Sequence, residues 1–240
     1  MVRFLVLSPA RSGSTVLRMT LNRHPRVRCH GEILAPNRVL GLVPDAATGM
    51  PADRELLAKI RDRDPCGFID RVLEVDADAA GFKAIYNQLV QLHAATVLES
   101  LVSDTALRVV MLWRRNLCKR FLSEVRHSSG YASKTRGADA VHVAPDPETM
   151  FQDFANQRAM RRRYEAIFRA HPTLSLDFED MEATGRVRGL LGFLGVSDDD
   201  LVLPDERIDF PSGVKVVVDN ESELLDRYSA VRQEYEPSGD

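Results

Sequence analysis

The chain has 240 residues, 44% hydrophobic and 28% charged, with a formal net charge of −3. That length and apolar content suit one domain with a full core, and so small a charge excludes general binding to nucleic acid or to an anionic membrane surface. Three cysteines, Cys29, Cys66 and Cys118, lack C-x-x-C or Cys/His ligand spacing, which offers no metal site and fits reduced thiols in a cytoplasmic setting.

An apolar run over residues 3–8 predicts a buried strand. A strand from Arg3 leaves no room for a signal peptide, and no run approaches the apolar length of a membrane span. The strand meets the turn Pro9-Ala10-Arg11-Ser12-Gly13 and passes into a helix over 14–23. Small residues at a helix start, with backbone N–H groups unspent, form a phosphate site. The G-x-x-x-x-G-K-[ST] pattern of nucleotide triphosphatases is not met, because only Gly13 and Thr15 fit and Ser14 takes the place of the Lys. That Lys neutralises the β/γ-phosphates. Arg11 instead supplies a cation from inside the loop, which suits a single phosphate with a charged leaving oxygen. An ordinary capped helix uses the same residue types, and the loop alone leaves that reading open.

A short strand over 27–30 follows, ending at His30-Gly31-Glu32. Residues 35–52 carry Pro and Gly and read as irregular; helices are expected over 53–62 and 66–75, then a strand over 80–85. Lys83 is a charge inside that apolar strand, costly unless it reaches the rim or a partner, or snorkels to water. After a helix over 90–103, the strand 107–113 ends in Arg114-Arg115-Asn116 and leads into a helix over 117–128. Ser123 lies eight residues beyond Arg115, two turns into that helix, so an extended Arg and the Ser hydroxyl can meet on one anion. Ligands of open α/β sheets gather at the carboxyl ends of strands, so both segments point to one rim.

Residues 129–147 read as a second irregular connection, and both irregular stretches are expected to frame an acceptor pocket. A long helix over 147–170 carries Arg158, Arg161, Arg162 and Arg163, which read first as a solvated face. A strand over 173–177, helices within 179–195, a strand-like run over 214–218 and a helix over 222–235 complete the chain. Strands alternating with helices imply βαβ units. The expectation is an α/β fold, a P-loop-like three-layer sandwich with a mostly parallel sheet of about five strands, spanning 1–240 as a single domain.

Pro9-Ala10-Arg11-Ser12-Gly13-Ser14-Thr15-Val16-Leu17 resembles the 5′-phosphosulfate loop, P-[KR]-[ST]-G-[ST]-[ST]-x-L, of sulfotransferases that use 3′-phosphoadenosine 5′-phosphosulfate (PAPS), with Ala10 as one extra residue. Arg115-Asn116 with Ser123 is similar to their 3′-phosphate motif, and Trp113-Arg114-Arg115 is similar to the W-x-R-R strand end of the bacterial glycolipid branch, the trehalose and nodulation-factor type. Leu176-Asp177-Phe178-Glu179-Asp180-Met181 is similar to the family's Y-E-D-L corner, and Leu191–Val196 resembles the helix end that follows it.

The resemblance implies sulfuryl transfer from PAPS, leaving 3′,5′-bisphosphoadenosine (PAP), to a hydroxyl of a small-molecule or carbohydrate acceptor without a metal. It implies Arg11, Ser12, Gly13, Ser14, Thr15 and Val16 at the 5′-phosphosulfate, and Arg115 with Ser123 at the 3′-phosphate. An Arg fork matches phosphate oxygens in pairs. It implies Glu32 as the base, with His30 as rival, and Arg11 and Lys83 beside the transferring group. Lys215 occupies the place of a basic, Gly-containing loop that is degenerate here. A homodimer is left open. Two other readings stand beside this one, a P-loop kinase or nucleotide hydrolase and a non-catalytic PAP/PAPS-binding relative.

Overall fold

A computed structural model describes residues 1–43, 53–90, 94–134, 140–181, 184–197, 199 and 215–235. Its strands are β1 (Val2–Ser8), β2 (Val27–His30), β3 (Ala79–Ile85), β4 (Arg108–Trp113), β5 (Ala140–Val143), β6 (Thr173–Asp177) and β7 (Lys215–Val218). Five of them form one sheet in the order β2-β3-β1-β4-β6, every neighbouring pair parallel. Strands of such a sheet are covered on both faces and read as continuous apolar runs, as Phe4 to Leu7 do.

Alternation along the strands divides the core in two. Phe4 and Val6 of β1, Val110 and Leu112 of β4 and Leu176 of β6 pack against α1 (Ser14–Leu21) and α7 (Thr184–Phe193). Leu5, Leu7, Phe82, Val109 and Met111 face the other way. There they meet α2 (Arg54–Arg63), α3 (Pro65–Leu73), α4 (Ala94–Ser103), α5 (Leu117–Lys134), α6 (Pro147–Ile167) and α8 (Glu221–Tyr235). The result is the expected α/β sandwich of three layers.

This division positions the site. Neighbouring strands β1 and β4 send their following helices to opposite faces, α1 through Leu17 and Leu21, α5 through Leu117 and Leu122. Two parallel strands whose connections part in this way leave a crevice at their carboxyl ends.

The structure departs from the expectation between residues 129 and 147. Helix α5 runs on to Lys134 through Gly130, and Ala140–Val143 forms β5, which pairs in parallel with β7 as a second, two-stranded sheet. Gly130 weakens local helix propensity, but packing of α5 against β7 and α8 outweighs it, with Arg126 bonded to Glu221. A four-residue strand whose only partner in that sheet lies some seventy residues further on carries too little periodicity to be read locally.

Candidate active site

At the carboxyl edge of β1, β3 and β4 lies a cavity of about 1310 Å³. Single-ligand pockets run to about 300–1,000 Å³, so the space admits a nucleotide together with a second molecule. Among the described residues its wall carries six Lys or Arg side chains against three Glu. The local field is therefore cationic although the whole chain is slightly acidic.

The β1–α1 loop forms one end. Arg11 and Gly13 both take left-handed backbone angles, φ 62° and 81°, an uncommon choice for a residue with a side chain. At Gly13 a Cβ would also lie 2.0 Å from the Phe178 ring, so only glycine fits. Gly13 is the N-cap of α1 and offers no side chain to the first N–H groups of the helix. Those groups have no partner within the helix itself, and Gly13, Ser14, Thr15 and Val16 line the cavity.

Lys83 comes up from β3 and is 6% exposed. Its Nζ reaches Thr15 Oγ1 (2.8 Å), Ser14 Oγ (3.4 Å) and Glu32 Oε1 (2.9 Å). Three protons meet three acceptors, which compensates the burial of this charge. Glu32 Oε2 accepts from Gln88 Nε2 (2.8 Å), and Gln88 Oε1 accepts from the backbone N–H of Ile85 (3.2 Å). The segment bearing Glu32 is tied down as well: its carbonyl accepts from Leu40, while buried Arg61 of α2 donates to the carbonyls of Ile33 and Ala35.

The β4–α5 junction forms the other wall. Arg11 Nε donates to Ser123 Oγ (3.2 Å), joining the two motifs that sequence analysis read separately. Arg114 lines the cavity, donates to the Arg11 carbonyl (3.3 Å) and lies over the Phe178 ring at 5.1 Å. Burial lowers its pKa below the usual arginine value. Lys119 lines the same wall, and Lys215 reaches it from β7.

Several expectations change here. Arg115 is not on the cavity wall. The β4–β6 register sets Asp177 beside Trp113, and Arg115 is drawn to Asp177 (3.2 Å) and Asp180 (2.9 Å). Glu179 accepts from the backbone N–H groups of Arg115 and Asn116. The Asp180 bond holds Arg115 above its ordinary pKa, while burial raises that of Asp177. Ser12 is fully buried beneath the loop and its hydroxyl does not face the cavity. His30 is buried too, and its Nδ1 accepts from the Val43 N–H (3.1 Å), so it is turned into the protein and not toward a substrate. Arg158, bonded to the Glu234 carbonyl, and Arg161, bonded to Glu165, stand off the cavity wall, as do Arg162 and Arg163. The stretches expected to frame an acceptor pocket fall partly on 44–52 and 135–139, outside the described residues; residues 35–43, 129–130 and 140–147 do not line the cavity.

Gln88 is the site residue that sequence analysis missed. It sits in a 3₁₀ turn, Tyr86–Val90, directly after β3. The available signal was a buried-looking amide three residues beyond a strand end that already carried Lys83.

Among the described residues no group of three or more His, Cys, Asp or Glu side chains is placed to hold a metal ion, and no helix is long and apolar enough to cross a membrane. The fold is that of the sulfotransferases. A sulfotransferase from Alicyclobacillus acidocaldarius matches over 98% of this chain and 94% of its own, with a TM-score of 0.54 and 16% sequence identity, a likeness of fold. No family model matches the sequence, and no curated protein does.

Proposed function

We propose that this chain is a PAPS-dependent sulfotransferase that sulfates a hydroxyl of a small-molecule or carbohydrate acceptor. The observation that carries this reading is the joined set Glu32–Lys83–Thr15. A carboxylate and a buried ammonium sit within bonding distance of each other and of an uncapped helix start, inside a cavity roomy enough for donor and acceptor.

The residues present fit the donor. The 5′-phosphate end belongs at Gly13–Val16, where backbone N–H groups and the Ser14 and Thr15 hydroxyls face the cavity. The 3′-phosphate belongs near Ser123, where Arg11, Arg114 and Lys119 share the wall; Arg115 joins them only by leaving Asp177 and Asp180. PAPS, when bound, supplies the sulfuryl group on a stable phosphate leaving group. Glu32 orients the acceptor hydroxyl and takes its proton as the new oxygen–sulfur bond forms. Lys83 and Arg11 oppose the negative charge that the breaking bond leaves on the phosphate oxygen, a preset field worth about 2.7–4 kcal/mol per donor in comparable sites.

Thermal shift separates this from a kinase or hydrolase: PAP should stabilise the protein strongly, AMP weakly, and ATP with Mg²⁺ no more than AMP. Labelled PAPS incubated with a metabolite extract of the source organism should give a product carrying the sulfate mass gain. Equal stabilisation by ATP–Mg²⁺ and PAP would overturn the donor assignment, and PAP binding without any PAPS turnover would make the chain a binding protein.

A further inference from the structure

Two arginines from the β4–α5 segment hold consecutive carbonyls of the phosphate loop. Arg114 Nη1 donates to the Arg11 carbonyl and Arg120 Nη1 to the Ala10 carbonyl, each at 3.3 Å. Arg114 also faces the cavity, but Arg120 does not; it is 1% exposed and is the largest fully buried side chain among the described residues. Its Nη2 is paired with Asp153 of α6, whose other oxygen accepts from Gln157 (3.1 Å). Burial pushes the Arg120 pKa down to about 10, which still leaves a cation at neutral pH.

A buried ion pair is costly, and replacement by apolar residues is often neutral or better for stability. Stability alone is thus a weak reason for this pair. What the pair does hold is the carbonyl of Ala10, the residue by which the loop exceeds the P-[KR]-[ST]-G pattern. In a trans peptide the C=O and the following N–H point in opposite directions across one plane. Turning the Ala10 carbonyl toward Arg120 fixes the Arg11 N–H direction, and turning the Arg11 carbonyl toward Arg114 fixes that of Ser12. Arg11 lies between these two peptides in a left-handed conformation that is unfavourable for it. Relaxation there would rotate a carbonyl dipole toward the anion site.

We infer that Arg120, braced by Asp153, is a positioning residue that keeps the enlarged phosphate loop set for the 5′-phosphate of the donor. The inference rests on the donor reading above, and the two fail separately. The pair is replaced by apolar side chains in Arg120→Met/Asp153→Leu, and binding of AMP and PAP is measured by calorimetry. Both nucleotides carry the 5′-phosphate, so both should weaken by the same factor, about tenfold, the scale of one charge-assisted hydrogen bond. Arg120→Lys should recover part of the loss. Wild-type affinity for both nucleotides, or a loss confined to PAP, overturns the inference. Should the double variant fail to fold, Arg120→Lys and Asp153→Asn carry the same readings with smaller factors. Should the wild-type protein bind neither nucleotide, the donor reading falls, and hydrogen exchange without ligand decides the brace. The Arg11 and Ser12 amides should then exchange about tenfold faster in the variant, and unchanged exchange overturns it.

Discussion

The two ends of the cavity are built on different principles. At the β3 end, Lys83, Glu32, Gln88, Ser14 and Thr15 form one chain of hydrogen bonds, in which each Glu32 oxygen has a partner. At the α5 end, cations arrive from separate elements, Arg114 from just beyond β4, Lys119 from α5 and Lys215 from β7, and that wall is tied to the loop by the Arg11–Ser123 bond and by the bonds from Arg114 and Arg120 to the Arg11 and Ala10 carbonyls. Under the proposed function the first is the reacting centre, where groups must be held before the reaction begins. Under the same proposal the second is a binding surface for a polyanion, where the number of cations matters more than the bonds among them.

Substitutions should separate the ends. Glu32→Gln should cut turnover about a hundredfold or more, the scale of general-base catalysis, while PAP affinity measured by calorimetry stays at wild type. Near-normal turnover would remove Glu32 from the base role and dissolve the contrast.

Next in size, Arg114→Ala should weaken PAP binding about tenfold or more, as expected for loss of a charged hydrogen-bonding group. Arg115→Ala should change it by about threefold at most, because its guanidinium is engaged by Asp177 and Asp180. The opposite ranking would show that Arg115 leaves those carboxylates when nucleotide binds.

Gln88→Leu should lower turnover roughly tenfold with unchanged PAP affinity, because it strips one donor from Glu32 and leaves the Ile85 N–H without its acceptor. Equal losses in turnover and PAP affinity would show that the β3 end is a binding element like the other.

The smallest effect concerns Cys29, buried one residue before His30 at the end of β2. Burial pushes its thiol from 9.0 up to about 12. The folded value lies above the unfolded one, so this stability is fully present below pH 9 and is lost as pH rises from there toward 12. Melting temperatures measured from pH 8 to pH 10.5 should fall less steeply in Cys29→Ala than in wild type. Parallel curves would mean that the thiol ionises freely in the folded protein.

Much of the fold was legible because it is written in local pattern. Continuous apolar runs at 3–8, 80–85 and 107–113 mark buried parallel strands, and the polar turns after them mark the rim. Lys83 was legible for a related reason, as a charge where an apolar strand should carry none, whereas Glu32 was singled out only by the resemblance. The α5 end was less so. Arg114 and Arg115 are the same residue type in adjacent positions, both beyond the last paired residue of β4, and nothing local distinguishes them. The choice is made by β6, whose register brings Asp177 beside Trp113 and whose following turn sends Asp180 to Arg115 and Phe178 over the loop. Strand β5 was hidden in the same way, since β7 alone gives it a partner in that sheet.

The amino-acid order by itself determined the succession of strands and helices, the composition of the β1–α1 loop and the rim on which the charges gather, because these follow from side-chain periodicity and backbone preference over a few residues. Only the tertiary structure decided which arginine faces the cavity, that Gln88 reaches Glu32 from 56 positions away, and that a buried Arg120 grips the loop. Those facts depend on which acceptors meet which donors once distant segments pack, and burial, by removing water as the alternative partner, makes that pairing obligatory.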